Sequence, residues 1–148
     1  MTLTDVLEKD LVKVPLQATT KSAIIEELVD ILVRSRHKYN RDDILAAVLA
    51  REALGSTGLS DGVAVPHAKT SAVDAIEVVM GITPTPIDFD AQDGKGSQFF
   101  FLVLAPEKES GAYIEVLVSI ARATVSPVMR RLLASARSAD EVLRLFID

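Results

Sequence analysis

The sequence predicts a layered α/β or α+β domain, and three observations carry that prediction. Segments 20–35 and 41–53 place apolar residues at helical spacing. Segments 76–82 and 99–104 are short apolar runs bounded by turn residues, as expected of strands inside a sheet. From residue 111 onward the helical pattern returns, so strands and helices are interleaved along the chain. The 148 residues suit one domain spanning 1–148, and no low-complexity tract, internal repeat or shift in composition marks a boundary.

The elements follow in order. Thr4 or Asp5 caps a short helix ending near Glu8. Leu11, Val12, Val14 and Leu16 alternate weakly, and Pro15 confines that segment to an edge strand or a loop. Thr20 to Ser35 reads as an amphipathic helix with Ile24, Ile25, Leu28, Ile31 and Leu32 on one face. Its basic end, Arg34, Arg36, His37 and Lys38, complements the helix dipole. Asn40 caps a second helix from Arg41 to about Ala53, buried through Ile44, Leu45, Val48 and Leu49. Gly55 to Gly62 is a loop whose glycines permit left-handed or tightly turned backbone. Val63-Ala64-Val65 is a short strand stopped by Pro66. Ile76 to Ile82 and Phe99 to Leu104 are two central strands, with Pro84, Pro86 and an Asp93–Gly96 turn between them. Gly111 to Thr124 is a helix expected to turn Ile114, Leu117, Val118 and Ile120 inward, and Pro127 to Ala134 and Ala139 to Phe146 close the chain as two short helices.

Composition excludes several function classes. There is no cysteine, so disulfides, thiolate catalysis and cysteine metal sites are ruled out. The formal net charge is −5 and no long basic run exists, which argues against a nucleic-acid partner. The strongest apolar run, Phe99 to Ala105, is far shorter than the roughly 20 residues of a spanning helix. The N-terminus lacks a basic start and an apolar signal stretch, so a cytoplasmic location without membrane insertion is expected. Two distant histidines make a zinc site weak. No GxGxxG follows a strand and no GxSxG elbow is present, so no cofactor is expected and no serine hydrolase is indicated.

Of the two histidines, His37 sits in a basic helix end and reads as a solvated terminus. His67 follows a strand, a proline and a glycine-rich loop, a place where a rigid scaffold presents reactive groups. Taken alone, a histidine after a strand is more often structural than catalytic. Its neighbours strengthen a case for phosphate chemistry. Neutral imidazole is nucleophilic near neutral pH, and protonated imidazole leaves readily. A transferring phosphoryl group spreads charge over three oxygens, so its site needs cations and N–H donors more than a second reactive centre. Arg51 is the candidate for that charge, since a guanidinium grips two phosphate oxygens at once; an exposed helix arginine paired with Glu52 is the plain alternative. Ser56 and Thr57 offer hydroxyls and backbone N–H groups. Lys69 is a second candidate cation or a surface turn, and Asp61 either orients the imidazole or caps the loop. The glycine loop is no P-loop, for the closing lysine and hydroxyl pair is missing.

The segment Arg51-Glu52-Ala53-Leu54-Gly55-Ser56-Thr57-Gly58 through Gly62-Val63-Ala64-Val65-Pro66-His67-Ala68-Lys69 closely resembles the enzyme IIA proteins of the bacterial phosphotransferase system, fructose/mannitol type, and among them the nitrogen-regulatory enzyme IIA. Their pattern is R-E-x-x-G-S-T-G…G-[IV]-A-[IV]-P-H-[GA]-K, and the likeness extends over nearly the whole chain. The resemblance implies a mixed β-sheet flanked by helices on both sides. It implies His67 as the phosphorylated histidine, Arg51 as the arginine beside the phosphate, an HPr-like phosphocarrier protein as donor, and a sugar-permease IIB domain or a regulated protein as onward partner. The lack of a IIB or IIC segment favours the nitrogen-type reading. One departure stands out. Family members often carry a second histidine in the helix after the strand ending Ala-Pro, and here Tyr113 occupies that place. A tyrosine hydroxyl donates a hydrogen bond to phosphate but brings no charge, so slower or altered transfer is expected. A IIA-like module that binds partners without carrying phosphate is the rival reading.

Overall fold

In the computed structural model, which describes residues 1–109 and 111–146, a five-stranded mixed sheet separates two layers of helices. The helices are α1 (Leu3–Val6), α2 (Lys21–Ser35), α3 (Arg41–Ala53), α4 (Gly111–Thr124), α5 (Pro127–Ser135) and α6 (Ala139–Phe146), with a 3₁₀ turn at Lys9–Leu11. The strands are β1 (Val12–Lys13), β2 (Val63–Ala64), β3 (His67–Lys69), β4 (Glu77–Ile87) and β5 (Ser97–Ala105). Their order is β1-β4-β5-β2, with β3 also on β5. β4 and β5 are antiparallel, and every other pairing is parallel.

β2 and β3 are two halves of one edge strand. Val63 faces Phe99 and His67 faces Val103, so the register continues unchanged across the break. The break is chemical: Pro66 has no N–H to donate. Its carbonyl still accepts from Val103 N–H at 3.0 Å, which keeps the strand attached.

Side chains on a strand alternate between faces, and this divides the core in two. Phe100, Leu102 and Leu104 of β5, with Ala64 and Ala68, pack against α2 and α3. Phe101, Val103 and Ala105, with Val63 and Val65, pack against α1 and the α4–α6 layer. By this alternation His67 and Lys69 belong to the α4 face, while Ala68 points to the other core.

The helix starts follow local chemistry. Thr20 Oγ1 accepts from Ala23 N–H, Asn40 Oδ1 from Asp43 N–H and Ser126 Oγ from Met129 N–H, each cap contributing about 1 kcal/mol. Three expectations need correction. β4 runs on through Pro84 and Pro86, which are exposed, with a register shift between Ile82 and Ile87 that lets the prolines sit outside the ladder. In α3, Ile44 and Val48 are buried but Leu49 is exposed. In α4, Tyr113, Val116, Ile120 and Thr124 form the buried row, whereas Ile114 and Val118 face outward.

Candidate functional site

The site is built where α3, the following loop and the interrupted edge strand meet. Arg51 lies in the last turn of α3, and the backbone leaves that helix into the glycine loop. The loop turns back through Asp61 and Gly62, both left-handed at φ 63° and 82°. A Cβ on Gly58 would come within 2.9 Å of the backbone at Phe89 and Ala91, so glycine there lets the loop lie directly on segment 89–92. Ser56 Oγ donates to Phe89 O at 2.8 Å, and Gln92 N–H donates to Gly58 O at 3.1 Å, closing that contact.

A cavity of about 230 Å³ opens at this junction, lined by the polar residues Arg51, Ser56, Thr57, His67 and Gln92 and walled by Leu59, Val65 and Leu117. His67 is half-buried, with Nδ1 2.6 Å from Val65 O. A carbonyl only accepts, so Nδ1 carries the proton and Nε2 keeps its lone pair. Arg51 donates from Nη1 to Gly55 O at 3.0 Å, which leaves the rest of its fork for the cavity.

Tyr113 comes in from α4, its ring 6.1 Å from that of His67 and tilted by 58°. It is 8% exposed. Burial pushes its phenol up to about 12, against an opposing pull from the nearby Arg51 charge. The hydroxyl is therefore neutral at physiological pH. Lys69 Nζ lies 5.7 Å from the centre of the same ring, within cation–π range. Arg51 and His67 thus line one cavity, and Tyr113, beside the imidazole, has Lys69 against its ring. His37 is exposed in the turn after α2 and is not among the cavity-lining residues.

Three sequence expectations fare differently. Ser56 and Thr57 line the cavity, but their hydroxyl protons are directed elsewhere: Ser56 to Phe89 O, and Thr57 Oγ1 to Glu52 Oε1 at 2.5 Å. Neither hydroxyl is free to donate to an anion. Asp61 does not orient the imidazole. Its N–H donates to Asp93 Oδ2, its carboxylate lies 3.9 Å from Arg130 Nη1, and the ring is held by Val65 O instead. Glu52, read only as a neighbour of Arg51, is buried beneath the loop. It accepts from Thr57 N–H at 2.9 Å and pairs with Lys21 Nζ at 2.8 Å. Burial pushes its carboxyl up, yet Lys21 and both Thr57 donors outweigh that and hold it below the usual range. The Glu52 to Thr57 spacing across a helix end was the signal that could have revealed it.

Comparison with known proteins gives this geometry a context. The family described as phosphoenolpyruvate-dependent sugar phosphotransferase system, EIIA 2, matches residues 5–148. The nitrogen regulatory protein of Pseudomonas aeruginosa is 31% identical over 141 residues, covering 95% of this chain and 90% of that protein. The fructose-specific EIIABC component of Bacillus subtilis is 28% identical over 143 residues, 97% of this chain, which spans only 22% of that larger protein. Among solved structures, nitrogen regulatory protein IIA-Ntr from Neisseria meningitidis has a TM-score of 0.89 at 32% identity, covering 96% of this chain and 97% of that one. Escherichia coli enzyme IIA mannitol, solved in complex with phosphorylated enzyme IIB mannitol, has a TM-score of 0.80 at 25% identity, covering 94% and 95%. The likeness covers nearly the whole chain, and the chain belongs to the EIIA 2 family of the phosphoenolpyruvate-dependent sugar phosphotransferase system.

Proposed function

We propose that this phosphotransferase accepts its phosphoryl group on Nε2 of His67. The supporting observation is the 2.6 Å contact between Nδ1 and Val65 O, which leaves Nε2 as the nucleophilic nitrogen beside Arg51. In the step, the Nε2 lone pair forms a bond to phosphorus while the bond from phosphorus to the donor breaks, its electron pair staying with the donor. The ring becomes cationic, Nδ1 keeps its proton, and Val65 O stabilises that charge through a strengthened hydrogen bond. The Arg51 guanidinium takes up charge on the phosphoryl oxygens. Onward transfer is the same step in reverse, with His67 as leaving group.

The donor is an HPr-like phosphocarrier protein. The acceptor is a sugar-permease IIB domain, or the phosphate serves as a regulatory mark of the nitrogen type. The EIIA complex with a phosphorylated IIB and the nitrogen regulatory relatives support these two branches. The setting is cytoplasmic and residues 1–148 act as one domain; among the described residues no single helix is long and apolar enough to cross a membrane. Incubation with a phosphorylated HPr-like donor, followed by intact-mass measurement, tests the assignment. One phosphoryl gain that disappears in His67→Ala is expected. No gain with any donor would favour the rival, a module that regulates by contact alone, which the uncharged Tyr113 beside the ring keeps in play.

A further inference from the structure

We infer that Glu52 is a positioning residue for His67, acting through Thr57 and Val65 to hold the imidazole in its Nδ1–H tautomer. An unbroken series of contacts connects them. Lys21 Nζ lies 2.8 Å from Glu52 Oε2, and Glu52 accepts both Thr57 N–H and Thr57 Oγ1–H, at 2.9 and 2.5 Å. Thr57 O accepts Val65 N–H at 3.0 Å. Val65 O meets His67 Nδ1 at 2.6 Å.

The edge strand makes this series necessary. Val65 lies between β2 and β3, and the next residue, Pro66, has no N–H. Pro66 O is tied to β5 through Val103 N–H, whereas the Val65 N–H, on the outer side, is tied to the loop through Thr57 O. Thr57 sits in a loop and is 3% exposed. Of its three polar backbone and side-chain groups, two are held by Glu52 and the third holds Val65. The position of the Val65 carbonyl, and with it the choice of ring nitrogen that keeps the proton, therefore depends on the Glu52 carboxylate.

A buried carboxylate paired with a lysine is weak as a pure stabiliser, since apolar replacements of buried ion pairs are often neutral or better. Here its geometric consequence is specific.

The test reads the ring directly. The chain has two histidines, and His37 is exposed, so ¹⁵N-histidine NMR of the unphosphorylated protein gives His67 beside an internal reference for a free side chain. In the wild type, neutral His67 is expected as the Nδ1–H form; a predominant Nε2–H form overturns the inference at once. In Thr57→Val and Glu52→Gln the Nδ1–H to Nε2–H ratio is expected to fall by about fivefold or more, the factor carried by one ordinary hydrogen bond. Thr57→Ser, which keeps the hydroxyl, should restore it. An unchanged ratio in Thr57→Val with a native amide spectrum overturns the inference, and this holds even where Glu52→Gln fails to fold.

A second readout rests on the phosphoryl-carrier reading above. ³¹P–¹⁵N NMR after phosphorylation should find the phosphate on Nε2 in the wild type and a share moved to Nδ1 in Thr57→Val. A protein that takes no phosphate at all refutes the carrier reading while leaving the tautomer measurement valid, so the two failures are distinguishable.

Discussion

At the scale of single residues, the site divides its labour between charge and hydrogen bonding. Arg51 is the cation whose fork opens toward the cavity, so Arg51→Ala should slow phosphoryl uptake about 10²–10³-fold, the effect of deleting one preorganised donor to a developing anion. Arg51→Lys should fall between, because a point charge cannot bridge two oxygens. Initial rates of phosphorylation by an HPr-like donor measure both. Tyr113 contributes a neutral hydroxyl, its phenol pushed up to about 12, so position 113 adds no titrating limb to transfer between about pH 6 and 9. Tyr113→His introduces a group that becomes cationic below roughly pH 6.5. Transfer in that variant should be faster, and the gain should grow as the pH is lowered. A rate–pH profile identical to wild type would remove Tyr113 from the site's working parts.

At the scale of elements, the informative case is α4. It carries Ile114, Val116, Leu117, Val118 and Ile120 almost around its whole circumference, so periodicity alone offers no unique inner face. The sheet decides: the odd-numbered side chains of β5 receive Tyr113, Val116 and Ile120, and leave Ile114 and Val118 outside. Ile120→Ala should therefore cost about 2–5 kcal/mol in urea unfolding, whereas Ile114→Ala should stay within about 0.5 kcal/mol of wild type. By contrast the spans of α2 and α3 were legible to within about a residue, because Asn40 and Thr20, the latter read as the first helical residue, cap them through contacts only three residues away. The extension of β4 through two prolines was hidden, since it depends on a register shift against β5 that no local pattern records. His67 and Arg51 stood out in the sequence through the spacing around the glycine loop. Glu52 did not, because its cation comes from the start of α2, a separate element. Gly58 joins the two scales. Gly58→Ala would push a methyl into the backbone of segment 89–91, and should destabilise by about 1–3 kcal/mol and slow phosphorylation together.

At the scale of the whole molecule, carboxylates tie the helical layer to the sheet and its loops. Glu27, Glu52 and Asp74 are all held below their ordinary values of 4.5, 4.5 and 3.8. Burial opposes the shift in Glu27 and Glu52, where Lys13, Lys21 and backbone donors overcome it; in Asp74 Lys38 leads. Depressed carboxylates contribute stability that is complete above their unfolded values and disappears as the pH drops through the folded ones. The urea midpoint should thus be flat from neutral pH to about 5 and decline below about 4.5. A midpoint that already falls between pH 7 and 5.5 would point to a histidine in place of these acids.

The loop laid along the edge strand has a consequence beyond the geometry of the imidazole. A phosphoryl carrier must meet protein after protein, and here the His67 ring proposed to take the phosphate is carried on the border of a sheet, where bare backbone invites another chain to add a strand. The outer side of that border is covered by the glycine loop, where Leu59 N–H donates to Val63 O and Val65 N–H to Thr57 O, and the two strand fragments are too short to act as a template. The loop thereby keeps the place open for brief visitors and closed to permanent ones.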